Sequence, residues 1–409
     1  MATPKTEQAQ RVAPSRSLAV MTILLLIFFL GTSDNQMISA LLPKIAGDLN
    51  ASEGEVGKLM LPVYALAAAA AALIIGPLSD RAGRRVFLLY ASMLFGVSLI
   101  AASFINDIYS LAAVRLFTGF AAGVFSTCSI AYVGDYFPYE RRGMAMSVVQ
   151  AGYFAALVLG VPVANFLAGW QSWRASFIFF GAISAVAFLL VALVLPDDKK
   201  FAASHSRSAR RFDNIRQSFE TRERVAGIFA ALLVSGGFVG FFSYLGSWLS
   251  KDLRRTTSEV SLFFILVGVA LLIGAFVAGP VSDKFGKRGV SVASTVVLAA
   301  MLFLIPRFDW SAVLFITFLL ASTSFAFRQG PLQALATELV PQQARGAFVA
   351  VRNTASQIGI ALSTAISGSL YDRSGYAAVA VMGSAVTLAA ALCIMMMREP
   401  NLESTSLES

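Results

Sequence analysis

The chain has 409 residues, of which 57% are apolar (AVILMFWYC) and only 13% are charged, and its mean hydropathy is +0.72. A soluble domain typically has about 25% charged and about 45–50% apolar residues, so this composition excludes a soluble enzyme and a disordered chain. The net charge of +9 would suggest a nucleic-acid partner in a soluble protein, but here we expect none and ask instead where the charge lies relative to a lipid bilayer.

Twelve apolar windows, each near or above the ~20 residues that a helix needs to cross a bilayer, follow one another along the chain. Continuous runs of Leu, Ala and Phe predict α-helices, since barrel strands would alternate over about 10 residues. The first window is too long for a cleavable signal peptide. The windows lie at about 18–42, 56–78, 85–105, 109–134, 143–168, 174–196, 225–249, 259–281, 289–306, 311–338, 346–370 and 375–397.

The positive charges predict the orientation of these helices. An even number of spans places both termini on one side, and segments on that side carry 21 of the 32 Lys and Arg residues, against eight on the other side. Cytoplasmic loops of membrane proteins are enriched in Lys and Arg. We therefore expect an integral membrane protein, typically of a bacterial inner membrane, with both termini in the cytoplasm.

One long polar segment divides the spans six and six. The sequence predicts an N-terminal six-helix bundle at 1–196, a cytoplasmic linker at 197–224 and a C-terminal six-helix bundle at 225–409.

The two halves repeat at a constant offset. The loop after the second span reads GPLSDRAGRR (76–85), and the loop after the eighth reads GPVSDKFGKR (279–288), which is an offset of 203 residues. A second motif, DYFP followed by Arg142-Gly143, recurs at the same offset as ELVP followed by Arg345-Gly346. Two separate motifs with one offset indicate duplicated halves.

The ten-residue loop resembles the signature loop of the major facilitator superfamily, and the resemblance covers about residues 18–397. It implies twelve transmembrane helices in two pseudo-symmetric six-helix bundles, an all-α membrane fold. In that family the loop latches the halves together on the cytoplasmic side. We expect Arg352, near the cytoplasmic end of the eleventh span, to act as a gate or latch contact too. The expected latch and gate residues are Gly76, Asp80, Arg81, Gly83, Arg84, Arg85, Asp135, Arg142, Asp283, Lys284, Gly286, Arg345 and Arg352.

Three further features resemble the drug:proton antiporter and sugar-efflux branches of this superfamily. They are the segment from Asp34 to Pro43, the R-x-x-x-G pattern from Arg115 to Gly119, and Gly160-Val161-Pro162. The last departs from the antiporter pattern G-P-x-x-G-G, because the proline comes two residues after the glycine. This spacing is closer to that of the sugar and metabolite exporters, so both branches stay open.

Asp34 and Arg115 are charged residues placed inside predicted spans, where ionisable groups are costly and typically functional. Asp34 lies about 24 Å into the first span from the cytoplasm, and Arg115 lies about 9 Å into the fourth span from the opposite face, so their depths match. One hypothesis is that Asp34 is the proton-coupling carboxylate and Arg115 its partner. The alternative is a structural ion pair that does not titrate.

Arg328 is predicted near the midplane of the tenth span, about 15 Å from its cytoplasmic end. Superfamily transporters bind substrate at this depth between the repeats. Arg328 can bind an anionic or strongly hydrogen-bonding substrate group, or form a salt bridge with Glu338 or Asp34 in one conformation. The residues expected to line the substrate cavity are Asn35, Gln36, Tyr153, Asn165, Tyr244, Arg328, Gln329, Gln333 and Gln357.

The sequence contains no phosphate-binding loop, metal cluster or nucleophile constellation, so we expect no cofactor, no metal and no enzymatic activity. The favoured function is a secondary active transporter, a proton-coupled exporter of small molecules whose halves alternately expose a central site. Its expected partners are protons, a small-molecule substrate and the lipid bilayer, with the chain as a monomer. The alternatives are a metabolite, sugar or organic-anion transporter that is not a multidrug pump, and a non-transporting membrane sensor or scaffold.

Overall fold

A computed structural model describes residues 14–137, 139–197, 216–341 and 345–397 of the chain. Six helices form the first half. They are α1 (Pro14–Asp48), α2 (Glu53–Ala82), α3 (Arg84–Ala102), α4 (Ile108–Tyr136), α5 (Tyr139–Ala155, then a π-helical turn Ala156–Gly160 and Val161–Trp170) and α6 (Trp173–Leu193).

The second half begins with α7, whose first residue follows the N-cap Thr221. Its helices are α7 (Arg222–Ser243, continued by Leu245–Ser247 and a π-helical turn Trp248–Asp252), α8 (Thr257–Phe285), α9 (Lys287–Leu304, then a 3₁₀ turn Ile305–Arg307) and α10 (Ala312–Glu338). They are followed by one long helical stretch, Arg345–Met395.

The last of these stretches contains two membrane crossings. It has 51 residues, which at 1.5 Å per residue would extend about 76 Å and so exceed twice the ~30 Å thickness of a bilayer core. Gly375 breaks it with φ 73° and ψ −176°, which separates α11 (345–374) from α12 (376–395). In the described part of the chain, eleven helices are long and apolar enough to cross a membrane. One of the eleven is this stretch, which crosses twice, so the number of spans is twelve. The predicted all-α fold with twelve spans is therefore confirmed.

Large apolar side chains cover the outside of the molecule. Leu193, Phe276 and Phe104 are between 74% and 81% exposed, far more than a water-soluble surface of this extent tolerates. These side chains lie where lipid replaces water as the solvent.

The repeated loops have the same backbone geometry in both halves. Gly83 between α2 and α3 has φ 88° and ψ 143°, and Gly286 between α8 and α9 has φ 83° and ψ 136°. Only glycine adopts such a conformation readily, which explains why both copies of the loop carry glycine here. We call the end of the molecule that carries these two loops the loop end, and the opposite end the far end.

Each loop also makes the same ion pair within its own half. Arg84 Nε lies 2.5 Å from Asp135 Oδ2 and joins α3 to α4, and Lys287 pairs with Glu338 and joins α9 to α10. Both partners shift by 203 residues between the copies. The neighbouring arginines repeat as well.

Arg85 Nη2 donates to the Ala192 carbonyl oxygen at 2.5 Å in the first half, and Arg288 donates to the Met395 carbonyl oxygen in the second half. The offset between Ala192 and Met395 is again 203 residues. The cationic loop residues thus fix helix ends inside their own halves.

The other predicted latch residues have separate roles. Arg142 Nε donates to the Phe137 carbonyl oxygen at 2.9 Å, at the C-terminus of α4. The Gly76 carbonyl oxygen accepts from Ser79, Lys284 Nζ lies 5.4 Å from the centre of the Phe285 ring, and Arg81 and Arg345 are exposed. The side chains of Asp80 and Asp283 lie outside the described part of the structure.

Arg352 does not join the two halves in this structure. Its Nε donates to the Gly227 carbonyl oxygen of α7 at 3.4 Å, so it bonds α11 to α7 within the second half. The expected gate contact of Arg352 is therefore replaced here by a contact inside one bundle.

Four pairs of helices join the two halves at the far end. Between α1 and α7, Ser39 Oγ donates to the Phe242 carbonyl oxygen at 2.6 Å. Between α5 and α8, Asn165 Nδ2 donates to the Thr257 carbonyl oxygen at 3.0 Å.

The third pair of helices is α2 and the end of α11. The Asp372 carboxylate accepts from Ser52 Oγ at 2.5 Å and from the Gly54 amide at 2.9 Å. The fourth pair is α2 and α7, where Glu53, which is buried, pairs with Lys251. Direct polar contacts between N- and C-terminal bundles therefore close the far end.

Candidate transport site

A polar cavity of about 180 Å³ lies between the two halves at mid-depth. Helices α1, α2, α5, α7, α10 and α11 all contribute to its wall. The lining residues are Thr32, Asn35, Gln36, Ser39, Leu61, Tyr153, Leu157, Val234, Ser235, Phe238, Val239, Phe242, Ser243, Phe325, Arg328, Gln329 and Ile360.

Five of the nine residues predicted to line a cavity lie together in this wall: Asn35, Gln36, Tyr153, Arg328 and Gln329. The other four lie elsewhere. Gln333 is exposed on α10 and Gln357 is half-buried on α11, and neither lines the cavity.

Asn165 and Tyr244 belong to the closed far end rather than to the cavity. Asn165 also approaches Ser261 at 3.0 Å, so its amide joins α5 to α8. Tyr244 is buried, its ring stacks on Tyr371 with centroids 5.1 Å apart, and its hydroxyl lies against Gly57. Neither side chain lines the cavity, because each faces a helix of the opposite half. The sequence indicates the depth of a residue along its helix but not which helix faces it.

Twelve lining residues were not predicted, and three of them, Phe238, Phe242 and Phe325, are aromatic. Phe238 lies 4.0 Å from Phe325 and 5.5 Å from Phe242 between ring centroids, so these rings form one continuous wall. Phenylalanine is frequent throughout this chain, which has 33 of them, and nothing in the sequence distinguishes these three from lipid-facing ones.

Asp34 and Arg115 form an ion pair that is fully enclosed by protein. Arg115 Nη1 lies 2.7 Å from Asp34 Oδ1 and 2.6 Å from Oδ2, and both side chains are 0% exposed. The guanidinium carbon also lies 4.4 Å from the centre of the Tyr64 ring. The two side chains, for which the sequence predicts matching depths, are thus in direct contact.

The pair leaves part of the guanidinium unused. Arg115 Nε and Nη2 are buried without a hydrogen-bond partner among the described residues. Burying two charges costs several kcal/mol each by order of magnitude, and an incomplete set of hydrogen bonds returns only part of that cost.

The Gly160-Val161-Pro162 segment packs against Ser33, the residue before Asp34. Gly160 closes the π-helical turn of α5, and a Cβ at this position would lie 2.3 Å from Ser33 Oγ. Single π-helical turns inside α-helices occur frequently at functional sites. The close approach of α5 to α1 therefore occurs one residue from the candidate proton-binding carboxylate.

Arg328 lies in the cavity wall without an ionic partner. Its side chain is 0% exposed, and Nε, Nη1 and Nη2 make no hydrogen bond to any residue that the structure describes. The guanidinium carbon lies 5.0 Å from the centre of the Phe325 ring. The two buried arginines thus differ, since Arg115 has a counterion and Arg328 has none.

Two six-helix bundles related by a sequence repeat, with a polar cavity at mid-depth between them, define a membrane transporter. The described residues hold no group of three or more His, Cys, Asp or Glu placed to bind a metal.

The sequence model of the Major Facilitator Superfamily matches residues 24–362 and 227–408. The chain therefore belongs to this superfamily of transporters and is not classed with enzymes.

Relatives and solved structures agree with this assignment. The chain is 29% identical over 355 residues to the uncharacterized MFS-type transporter YceJ of Bacillus subtilis, covering 85% of this chain and 87% of the relative. It is 25% identical to multidrug resistance protein D of Escherichia coli, covering 79% and 80%. The crystal structure of a D-xylose-proton symporter superposes with a TM-score of 0.78 at 21% identity, covering 93% of this chain and 98% of that one. At that identity the last match supports the fold alone.

Proposed function

We propose that the chain is a proton-coupled exporter of small molecules, in which Asp34 carries the coupling proton. The observation that carries the proposal is the fully buried Asp34–Arg115 pair. An intramembrane carboxylate with a single cationic partner can exist in two states: charged and paired, or protonated and released. Those two states give a proton a way to change the packing of α1 against α4.

The loop end faces the cytoplasm in this proposal. Its support is the distribution of Lys and Arg, which are enriched on the side of the repeated loops. We further propose that the linker at 197–224 and both termini lie on that side of a bacterial inner membrane, that the bundles at 1–196 and 225–409 move as units, and that the chain acts as a monomer.

The transport cycle follows from which end is closed. The Asp372 and Asn165 contacts hold the far end together, and in the proposed cycle the cavity is therefore reached from the loop end. In the proposed cycle this conformation, in which Asp34 is paired with Arg115, is the deprotonated one. Substrate enters from the cytoplasm, the halves rock, the far end opens and substrate leaves. A proton taken up at Asp34 from outside then releases Arg115 and favours the return.

The alternatives differ in cargo rather than in mechanism. The likeness to a multidrug resistance protein supports a drug exporter. The proline spacing after Gly160 supports a metabolite exporter, and the cavity of about 180 Å³ is smaller than the roughly 300–1,000 Å³ of sites that hold drug-sized ligands. The cavity size therefore favours a small cargo. A sensor or scaffold in the same fold would need no proton-binding pair.

The test is transport by the purified full-length chain in proteoliposomes, with a panel of radiolabelled sugars, organic acids and cationic dyes. Each compound is assayed with an acidic lumen, with an alkaline lumen and without a gradient. For an antiporter we expect an acidic lumen to drive uptake of at least one compound, because protons leaving the lumen exchange for entering substrate.

Uptake driven only by an alkaline lumen would identify a symporter and overturn export. Uptake at the same rate with an acidic lumen, with an alkaline lumen and without a gradient would overturn proton coupling. Transport of no compound in the panel would favour the sensor or scaffold.

A further inference from the structure

Arg328 is the buried charge in the cavity that the transport cycle above does not use. It is completely enclosed, and its five N–H groups meet no acceptor among the described residues. Burial of a charge without a partner is unfavourable by several kcal/mol, so such a group is normally paired. An unpaired guanidinium in a cavity wall indicates that its partner comes from outside the protein.

The two acids considered as partners of Arg328, Asp34 and Glu338, are engaged elsewhere. Both carboxylate oxygens of Asp34 bind Arg115, and Glu338 pairs with Lys287 at the loop end. No ion pair of Arg328 occurs within the described ranges of the chain. The salt bridges considered from the sequence are therefore absent from this conformation.

The arginine head group selects for anions of a particular shape. Its planar fork binds carboxylate, sulfonate and phosphate groups with two parallel hydrogen bonds, which a lysine ammonium does not do. Gln36 adds a side-chain oxygen that also lacks a hydrogen-bond partner, in the same wall. The polar part of the cavity thus supplies the unpartnered N–H donors of Arg328, one amide acceptor on Gln36 and no neutralising carboxylate of its own.

The rest of the wall is apolar and aromatic. Phe325 lies under the guanidinium with a centroid distance of 5.0 Å, and Phe238 continues the aromatic surface at 4.0 Å from Phe325. A cavity of about 180 Å³ holds a small molecule with one ring rather than a drug-sized one.

We propose that the substrate class is small organic anions with an aromatic or similarly apolar body, whose anionic group binds Arg328 and whose body packs on Phe238 and Phe325. This inference rests on the proposed function, since it names the cargo of the same site. The asymmetry of the site supports it, because the position equivalent to Arg328 in the first half is Phe125.

The test measures binding of three ligands of equal shape and different charge: benzoate, benzamide and benzamidinium. Purified full-length protein in detergent is titrated with each at neutral pH by calorimetry. The variants are Arg328→Gln and Arg328→Lys, and the matched control is Arg352→Gln. This control removes a half-buried positive charge from the same half, where Arg352 bonds the Gly227 backbone outside the cavity wall.

We expect wild type to bind benzoate about tenfold or more tightly than the other two ligands, because a charge-assisted bidentate contact is lost in each of them. Arg328→Gln should lose this preference, Arg328→Lys should keep it with weaker binding, and Arg352→Gln should match wild type. If Arg328→Gln does not fold, the proposal is still tested by whether wild type and Arg328→Lys prefer benzoate to the neutral and cationic ligands.

Equal binding of all three ligands, tighter binding of benzamidinium, or no benzoate binding at millimolar concentration would overturn the proposal, as would unchanged benzoate binding by Arg328→Gln. The two proposals fail separately. Gradient-driven transport of neutral or cationic compounds would overturn anion selectivity and leave proton coupling intact. Selective benzoate binding without any effect of a pH gradient on transport would overturn proton coupling and leave anion selectivity intact.

Discussion

The two halves of the molecule are alike at the loop end and unlike at mid-depth. The Arg84–Asp135 pair of the first half recurs as Lys287–Glu338 in the second, 203 residues later. Gly83 and its counterpart have φ angles within a few degrees of each other, 88° and 83°. Residues that build the shared scaffold have thus been kept in both copies.

The buried charges, in contrast, occur in one half only. The positions equivalent to Asp34 and Arg115 in the second half are Gly237 and Phe318, and neither can hold a charge. Arg328 in turn has an apolar counterpart in the first half. The difference teaches that the repeat supplies the common frame, whereas the buried charges occur in one copy only. Under the proposed function, the first bundle contributes the proton site and the second contributes the arginine that binds the substrate anion.

The largest expected effect comes from breaking the buried pair. Arg115→Ala leaves the Asp34 carboxylate enclosed without its cation, and removal of one partner from a buried pair costs about 3–5 kcal/mol. We expect a large fall in melting temperature in detergent, measured by the fluorescence of a thiol-reactive or tryptophan probe. The double variant Arg115→Leu/Asp34→Leu should recover most of the loss, and a double variant no more stable than Arg115→Ala would contradict an uncompensated charge as the cause.

The second effect concerns the close approach of α5 to α1. Gly160→Leu places side-chain atoms where Ser33 Oγ already lies, and overpacking of this kind costs about 1–3 kcal/mol. We expect lower thermal stability and slower transport. Gly143→Leu, at a position with open space around it, is the control. Equal effects of the two substitutions would rule out a specific role for this contact.

The third effect should have the opposite sign. Arg328→Met replaces an unpaired buried charge by an apolar side chain of similar length, so we expect the variant to be more stable than wild type by about 1 kcal/mol. Thermal unfolding with and without benzoate measures it. Destabilisation of Arg328→Met in the absence of ligand would mean that Arg328 has a structural partner after all.

The smallest effects are expected at the repeated pairs, and they should be equal in the two halves. Arg84→Ala and Lys287→Ala each remove a partly exposed ion pair, which is worth about 0.2–1 kcal/mol. Parallel melting curves test this equivalence. A loss confined to one half would show that the copies have diverged in role despite their common geometry.

Much of this arrangement could be predicted from the sequence, because it depends on length and spacing. The apolar windows predicted the helices, and the 203-residue offset predicted the repeat. Counting residues from each membrane face predicted equal depths for Asp34 and Arg115. The separation of α11 from α12, at Gly375, lies one residue after the gap predicted at 371–374.

The remaining contacts depend on which helix faces which, and single-sequence patterns do not contain that information. Asn165 and Tyr244 were predicted in the cavity and instead join the halves at the far end. Asp372 was not predicted at all, since a carboxylate near a helix end resembles ordinary surface charge. Its partners on α2 are about 320 residues away in the chain.

The most direct test of the central claim compares two acid-to-amide variants in proteoliposomes. Asp34→Asn removes the single-copy carboxylate, and Asp135→Asn removes one from the repeated scaffold. Each is assayed for substrate exchange without a gradient and for uptake driven by an acidic lumen. We predict that Asp34→Asn exchanges substrate but gains nothing from the gradient, while Asp135→Asn retains gradient-driven uptake. Gradient-driven uptake by Asp34→Asn at the wild-type level would contradict the account.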